Sequence, residues 1–297
     1  MRIVVLTARP DLPTNRALHA AARGLGVECE IIDATRTVGC VEAGPLEPPV
    51  GGHRALDPTE PVAVIARVGN WRPATMLAVL ESYLQAGAVT ANPPPSIRRG
   101  RDHWLTVLTL VQAGLPVPRT LVCMDPKLGA EAAVERFAMP VVIKVRSSRM
   151  GVGVMLCHRK DHLQSLCDSL WRVGDEFILQ EFVPGGNRSI RALVVGDQVV
   201  AAARFSSAPG EWRSNGAQGG AAEAVSLSVE DRRLAISAAQ AMDLDICGVD
   251  LLPAAQGSQI CEVNPTPGFI RLQSATGVDV AQKMVRYLLT LRRPDPH

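Results

Sequence analysis

The sequence predicts a three-domain chain of mixed α/β and α+β class: an N-terminal parallel-sheet domain, a central α+β subdomain and a C-terminal antiparallel-sheet subdomain. Three observations carry this reading. A β-α-β pattern opens the chain, with strand over 2–7, helix over 14–25 after a Pro/Thr start signal, and strand over 27–33. The segment ANPPPSIRRG places three prolines in a row, which neither a helix interior nor a central strand continues through. From IRALVVGDQVVAAARF onward, alternating apolar runs flank tight-turn signals such as Gly196-Asp197, the pattern of antiparallel hairpins.

The elements follow in order. Residues 36–60 are Pro- and Gly-rich with weak periodicity; PVAVIARVG resumes a strand and ATMLAVLESYLQAG an amphipathic helix, closing a first domain over 1–95. After the prolines, RDHWLTVLTLVQAG reads as a helix ended by Gly114 and Pro116, then strand TLVCM and helix GAEAAVERFA. PVVIKVRSSRMGVGVMLC is a hairpin with a Ser-, Arg- and Gly-rich tip, and a helix over 160–171 precedes EFILQEFV. A second boundary near 177 gives domains 96–177 and 178–297. The last one adds a helix over 229–242, a further hairpin and the terminal helix VDVAQKMVRYLLTLRR.

Composition narrows the function. With 47% hydrophobic residues, 20% charged and a net charge of +2, neither disorder nor a general nucleic-acid footprint is expected, so any anion site must be local. The seven cysteines are dispersed without a C-x-x-C pair, which fits reduced thiols in the cytoplasm rather than a disulfide framework. The first apolar run is too short for a signal peptide, and no stretch approaches the roughly 18 apolar residues of a membrane helix. His158 and His162 stand at i,i+4 spacing with no acidic partner arranged nearby, which reads as a solvated helix start.

The chemistry concentrates in a few stretches. In CEVNPTPG, strand alternation puts Glu262 and Asn264 on one face and turns Cys261 and Val263 to the other. The preceding run GVDLL pairs with QICEV as a hairpin and brings Asp250 alongside. Asp250, Glu262 and Asn264 then form an oxygen-only set suited to a hard cation such as magnesium, or else a solvated hairpin face with three ordinary polar residues. Lys144 ends the apolar strand VVIKV, either facing an anion or snorkelling to water. Beyond it Ser147, Ser148, Gly151 and Gly153 leave backbone N–H groups able to cradle phosphate, although no Walker string or dinucleotide fingerprint is present. In LQEFVPGG, Glu181 and Phe182 precede a Pro-Gly-Gly break, a hinge whose backbone could meet an adenine edge while Phe182 or Ile178 packs its face. Arg191, Arg204 and Arg213, with Asn215 in RSNGAQGG, are either carboxylate or phosphate clamps or a solvated face.

Taken together, the lysine-bearing hairpin with its Gly-rich tip, QEFV, IRALVVGDQVVAA, RSNGAQGGAA, GVDLL and EVNPTPG resemble the ATP-grasp superfamily, and most closely its RimK-like glutamate ligases. The resemblance runs from about Asn92 to the C-terminal helix. It implies a three-domain fold whose central domain acts as a lid, with ATP held between two α+β subdomains, and a reaction joining a carboxylate to an amine through an acyl phosphate. Carried onto this sequence, it makes Asp250, Glu262 and Asn264 ligands of two magnesium ions, with manganese an acceptable substitute. Lys144, Ser148, Gly151 and Gly153 become phosphate contacts, Glu181 and Phe182 the adenine hinge, and Arg191, Arg213 and Asn215 residues near the transferring phosphate and acyl intermediate. Two positions depart from the family pattern: His103 stands where a second phosphate-contacting lysine is usual, and Ser189 where an acidic residue is frequent.

The expected substrates are a small-molecule carboxylate and an amino acid, L-glutamate first. Another amino acid, a peptide or protein acceptor, or a non-catalytic nucleotide-binding module are the alternatives. Neither nucleic acid nor membrane is an expected partner, and a homo-oligomer is compatible with the sequence.

Overall fold

The computed structural model describes residues 1–39, 61–147, 153–184, 188–207, 212 and 221–292. Its first unit comprises β1 (Arg2–Thr7), α1 (Pro13–Gly24), β2 (Cys29–Asp33), β3 (Val62–Arg67), α2 (Pro73–Gln85) and β4 (Val89–Thr90). The strands form a parallel sheet in the order β2-β1-β3-β4, as the β-α-β opening predicts. Both faces of β1 are covered, so it reads as an unbroken apolar run after Arg2 rather than an alternation. Val4, Leu6, Val62 and Val64 pack under α2. Ile3, Val5, Ala63 and Ile65 belong instead to a core shared with the C-terminal sheet.

The proline-rich segment does not end in a plain break. Pro94 occupies the first turn of a short helix, α3 (Pro94–Gly100), where its missing N–H leaves no intrahelical bond unmade. Asp102 then caps α4 (His103–Gln112), accepting from the Trp104 and Leu105 N–H groups at 2.9 and 3.1 Å. Although α4 falls within the central domain drawn from sequence, Leu110 is buried in the core of the C-terminal sheet.

The central sheet contains β5 (Thr120–Val122), β6 (Val141–Val145), β7 (Val154–Cys157) and β8 (Phe177–Glu181), with α5 (Pro126–Arg136) and α6 (Lys160–Arg172). It is antiparallel in the order β5-β8-β6-β7. Val141, Ile143, Phe177 and Leu179 pack with Ala130, Ala133, Leu163 and Cys167 of α5 and α6. Alternation sends Val142, Lys144, Ile178 and Gln180 to the other face. Because β8 lies inside this sheet, its strands extend to Glu181, four residues past the boundary read near 177.

The third unit comprises β9 (Arg188–Val195), β10 (Gln198–Ser206), β11 (Ala222–Ala224), α7 (Val229–Ala241), β12 (Ile246–Leu252), β13 (Gln259–Asn264), α8 (Ile270–Thr276) and α9 (Val280–Leu288). Its antiparallel order is β11-β10-β9-β12-β13. On one face Ile190, Ala192, Val194, Cys247, Val249 and Leu251 meet Ala235, Ala238 and Ala239 of α7. On the other, Leu193, Val195, Ala203, Phe205 and Ile246 pack with Phe269, Leu272, Met284 and Val285. Among the described residues no helix is long and apolar enough to cross a membrane.

Candidate active site

The predicted hairpin forms, and its register settles which polar side chains meet. Asp250 lies opposite Glu262, Gly248 opposite Asn264, and Asp250 of β12 is also opposite Arg191 of β9. Arg191, Asp250, Glu262 and Asn264 therefore line one face of the sheet, the face turned away from α7. Arg191 grips Asp250 through two parallel hydrogen bonds, Nε to Oδ1 at 2.7 Å and a terminal nitrogen to Oδ2 at 2.6 Å. Burial pushes the Asp250 carboxyl above its ordinary value, against the pull of the Arg191 guanidinium and with a further push from Glu262. The negative charge of Asp250 is the main cause raising the Arg191 pKa still higher. The Asn264 side-chain oxygen accepts from the Thr266 N–H at 2.9 Å, which turns the chain into the Pro265–Gly268 segment.

Two β-bulges change the expected orientations. The register slips between Asp250 and Leu251, whose partners are Glu262 and Ile260, so Cys261 is an extra residue. Ile260 and Val263 stay in the α7-side core, and Cys261 does not turn away with Val263. It meets Lys144, whose Nζ donates to its Sγ at 3.5 Å. Burial pushes the Cys261 thiol up, with the Lys144 ammonium pulling against it. A second slip between Val199 and Ala201 makes Val200 extra on β10. Arg204 thereby pairs with Ile190 instead of Ser189, and stands on the α7 side, opposite to Arg191. The expected grouping of Arg204 with Arg191 does not occur.

Lys144 comes from the central sheet and is only 7% exposed, so the contact with Cys261 closes the two sheets over a common cleft. Its strand is fixed to α4: the His103 N–H donates to the Arg146 carbonyl at 2.9 Å, and the Arg146 guanidinium is paired with Asp102. The backbone of His103, the first residue of α4, is thus tied to the end of the strand that carries Lys144. Gly153 adopts φ of +77° where its carbonyl accepts from the Val145 N–H at 2.9 Å, a conformation that a side chain would disfavour. At the hinge, the Glu181 carboxylate is held by Arg119, from its N–H at 2.8 Å and its Nε at 2.7 Å. Phe182 meets Trp212 edge-on, with ring centroids 6.5 Å apart. Ile178 is fully buried on the Lys144 face. Ser148, Gly151, Arg213 and Asn215 lie outside the described residues.

Sequence reasoning missed further residues around this cleft. Asn92 is buried and donates to the Ile246 and Pro265 carbonyls at 2.7 and 2.9 Å, while its oxygen accepts from the Ile246 N–H at 3.0 Å. Arg67, in the ARVG stretch of β3, donates to the Pro267 carbonyl at 2.7 Å and lies over the Phe269 ring. The N-terminal unit thereby clamps the turn that follows Asn264. Arg271 in α8 lies over the ring of Phe205, 5.6 Å from its centroid, as does Arg191. An asparagine just ahead of a triple proline was the one available sign of the Asn92 clamp. Arg271 had none, because α8 was not expected.

Comparison with known proteins identifies the family and the fold. Residues 100–288 match the family model of the RimK-like ATP-grasp domain. A probable alpha-L-glutamate ligase of Mannheimia succiniciproducens is 32% identical over 295 residues, covering 97% of this chain and 98% of that protein. The ATP-grasp ligase PsnB, complexed with a minimal precursor, superposes with a TM-score of 0.74 at 22% identity, over 96% of this chain and 98% of that one. A RimK domain ATP-grasp protein from Sphaerobacter thermophilus gives 0.73 at 22% identity, over 97% and 100%. This chain belongs to the RimK-like ATP-grasp family.

Proposed function

We propose that this ATP-grasp ligase uses ATP to activate a carboxylate as an acyl phosphate and joins it to the amine of L-glutamate, with the cleft between the central and C-terminal sheets as its active site. The observation that carries the reading is the meeting of Lys144 with the strand bearing Glu262, directly opposite Asp250 and Arg191. The glutamate assignment is supported by the name of the Mannheimia relative. A PsnB structure of TM-score 0.71 and 23% identity is complexed with Mg and ADP, which supports the nucleotide and metal reading. We further propose that the division drawn near 177 moves past β8, while α4 packs with the C-terminal sheet.

The donor set fits magnesium. Asp250, Glu262 and Asn264 offer only oxygen, the preference of a hard cation. Arg191 takes one hydrogen bond at each Asp250 oxygen, and a carboxylate has about four lone-pair sites, so coordination capacity remains. Asp250, Glu262 and Asn264 would hold the metal, with two ions as the proposed stoichiometry. When bound, the metal supplies neutralisation of the phosphate charge that spreads during phosphoryl transfer.

The chain's own groups do the rest. Lys144 places an ammonium on the nucleotide phosphates, with His103 beside it as a hydrogen-bond donor. The hinge at Glu181 and Phe182 receives adenine through its backbone, the Glu181 side chain being committed to Arg119. A carboxylate oxygen attacks the γ-phosphorus and ADP departs. The neutral amine then attacks the acyl carbon, the C–O bond to phosphate breaks, and the amine proton leaves to solvent. Arg191, beside the acidic pair, balances charge as the tetrahedral oxyanion forms. The cytoplasm, where ATP and free amino acids are available, is the proposed location.

A phosphate-release assay with Mg-ATP, a panel of small carboxylic acids and a panel of amino acids tests this reading, with product masses recorded. A glutamate-dependent signal and an amide of glutamate are the expected outcome. Phosphate release with lysine, alanine or cysteine but not glutamate would leave a ligase with a different amine.

A further inference from the structure

We infer that Cys261 is a positioning residue for Lys144, its thiol sulfur aiming the lysine ammonium into the cleft that Asp250 and Glu262 line. The inference rests on the ligase reading above and adds to it the group that orients the phosphate-binding lysine.

The lysine's own sheet does not orient it. Lys144 is paired on one side with Val154 of β7 and on the other with Ile178 of β8, both aliphatic, and it is buried. Gln180, the next polar side chain on that face, donates its amide to the Thr120 hydroxyl at 2.9 Å. A lysine stem is long and flexible, so a buried ammonium needs a partner to fix its direction. That partner comes from the opposite sheet, where the Cys261 Sγ accepts from Nζ at 3.5 Å. Of the two carboxylates lining the cleft, Asp250 is already gripped through both oxygens by Arg191.

The chain places the sulfur there by a local device. Glu262 stands opposite Asp250 and Ile260 opposite Leu251, which makes Cys261 the residue added to β13. In a regular strand it would share the α7 side with Val263. The bulge takes it out of that alternation, while Ile260 and Val263 keep their places in the α7-side core. The added residue is also anchored on both sides: the Ile260 N–H donates to the Pro116 carbonyl at 2.8 Å, and the Asn264 side-chain oxygen accepts from the Thr266 N–H at 2.9 Å. Re-aiming one side chain between fixed neighbours is what a bulge beside a site achieves.

A thiol suits the task. Its sulfur is a weak acceptor, and an ammonium has three donors, so the contact sets direction and leaves donors for phosphate oxygens. A carboxylate in this place would compete with the nucleotide for the lysine. An alkyl group would remove the acceptor altogether.

The test is a calorimetric titration with Mg-ATP of wild type, Cys261→Ser, Cys261→Val, Cys261→Ala, Lys144→Ala and the double variant Cys261→Val, Lys144→Ala. Melting temperatures and the KM for glutamate are measured alongside. The two variants without an acceptor should bind Mg-ATP about fivefold more weakly, with KM for glutamate and melting temperature nearly unchanged. Cys261→Ser, which keeps an acceptor, should stay within about twofold of wild type. In the Lys144→Ala background Cys261→Val should add no further loss, because no ammonium remains to be aimed. Wild-type affinity in both Cys261→Val and Cys261→Ala overturns the role of Cys261. So do additive losses in the double variant, or a matching rise in KM for glutamate, since the thiol would then support the cleft as a whole. These outcomes leave the ligase reading intact, whereas a wild type without ATP-dependent ligation overturns both.

Discussion

The two faces of the five-stranded C-terminal sheet are built from alternate residues of the same strands, yet they differ sharply in chemistry. Toward α7, Ile190, Ala192, Val194, Cys247, Val249 and Leu251 make a continuous apolar layer against three small alanines. On the other face, β9, β12 and β13 alternate to Arg191, Asp250, Glu262 and Asn264 at one end and to Leu193, Val195 and Ile246 at the other. The dry face supplies stability through buried area. The mixed face accepts the desolvation of a carboxylate, visible in the raised pKa of Asp250, and gains a charged cleft. Strand periodicity thus separates the apolar packing layer from the charged side chains of the proposed active site.

The largest effect is expected on the polar face. Asp250→Ala should lower turnover about a thousandfold, through lost phosphate charge neutralisation. It should also reduce stability by about 2–3 kcal/mol, because the Arg191 guanidinium is left mostly buried and unpaired. The double variant Asp250→Ala, Arg191→Ala should recover much of the melting temperature but none of the activity. Recovery of activity would mean that the pair is structural only. On the apolar face, Leu251→Ala should reverse the pattern, with about 2–5 kcal/mol lost in denaturant unfolding and turnover per folded molecule kept. A large drop in kcat for that variant would blur the division of labour.

Between the sheets, Lys144→Ala should raise KM for ATP about tenfold, roughly 1.4 kcal/mol, without moving KM for the amino acid. A matching rise in both constants would show that the lysine organises the cleft as a whole. The smallest change is expected at His103. An imidazole offers a hydrogen bond without the permanent full charge of a lysine ammonium. His103→Lys should therefore keep or improve ATP affinity, and a nucleotide-binding titration showing a marked loss would assign the imidazole its own role.

Much of this was legible in the sequence because period-2 alternation is a local property. Glu262 and Asn264 needed only their spacing, and Asp250 only a hairpin, to fall on one face. What escaped were single-residue events. One extra residue at Cys261 brings a thiol to Lys144, and one at Val200 takes Arg204 away from Arg191. A bulge leaves composition and apolar pattern nearly unchanged while reversing every side chain beyond it. Contacts distant in sequence were equally hidden. The prolines suggested an end where α3 begins, and nothing near Asn92 or Arg67 shows that they hold the turn after Asn264, more than 170 residues away.

The central claim is that the Asp250 and Glu262 face is where ATP drives amide formation. Its most direct measurement is a comparison of wild type with Glu262→Gln, a change of charge at nearly constant shape, in Mg-ATP and L-glutamate with the preferred carboxylic acid. ADP, phosphate and product mass are followed together. The account predicts equimolar ADP and phosphate with a glutamyl amide in wild type, and a loss of about a thousandfold in Glu262→Gln with melting temperature nearly unchanged. Equal turnover by the two proteins would contradict it.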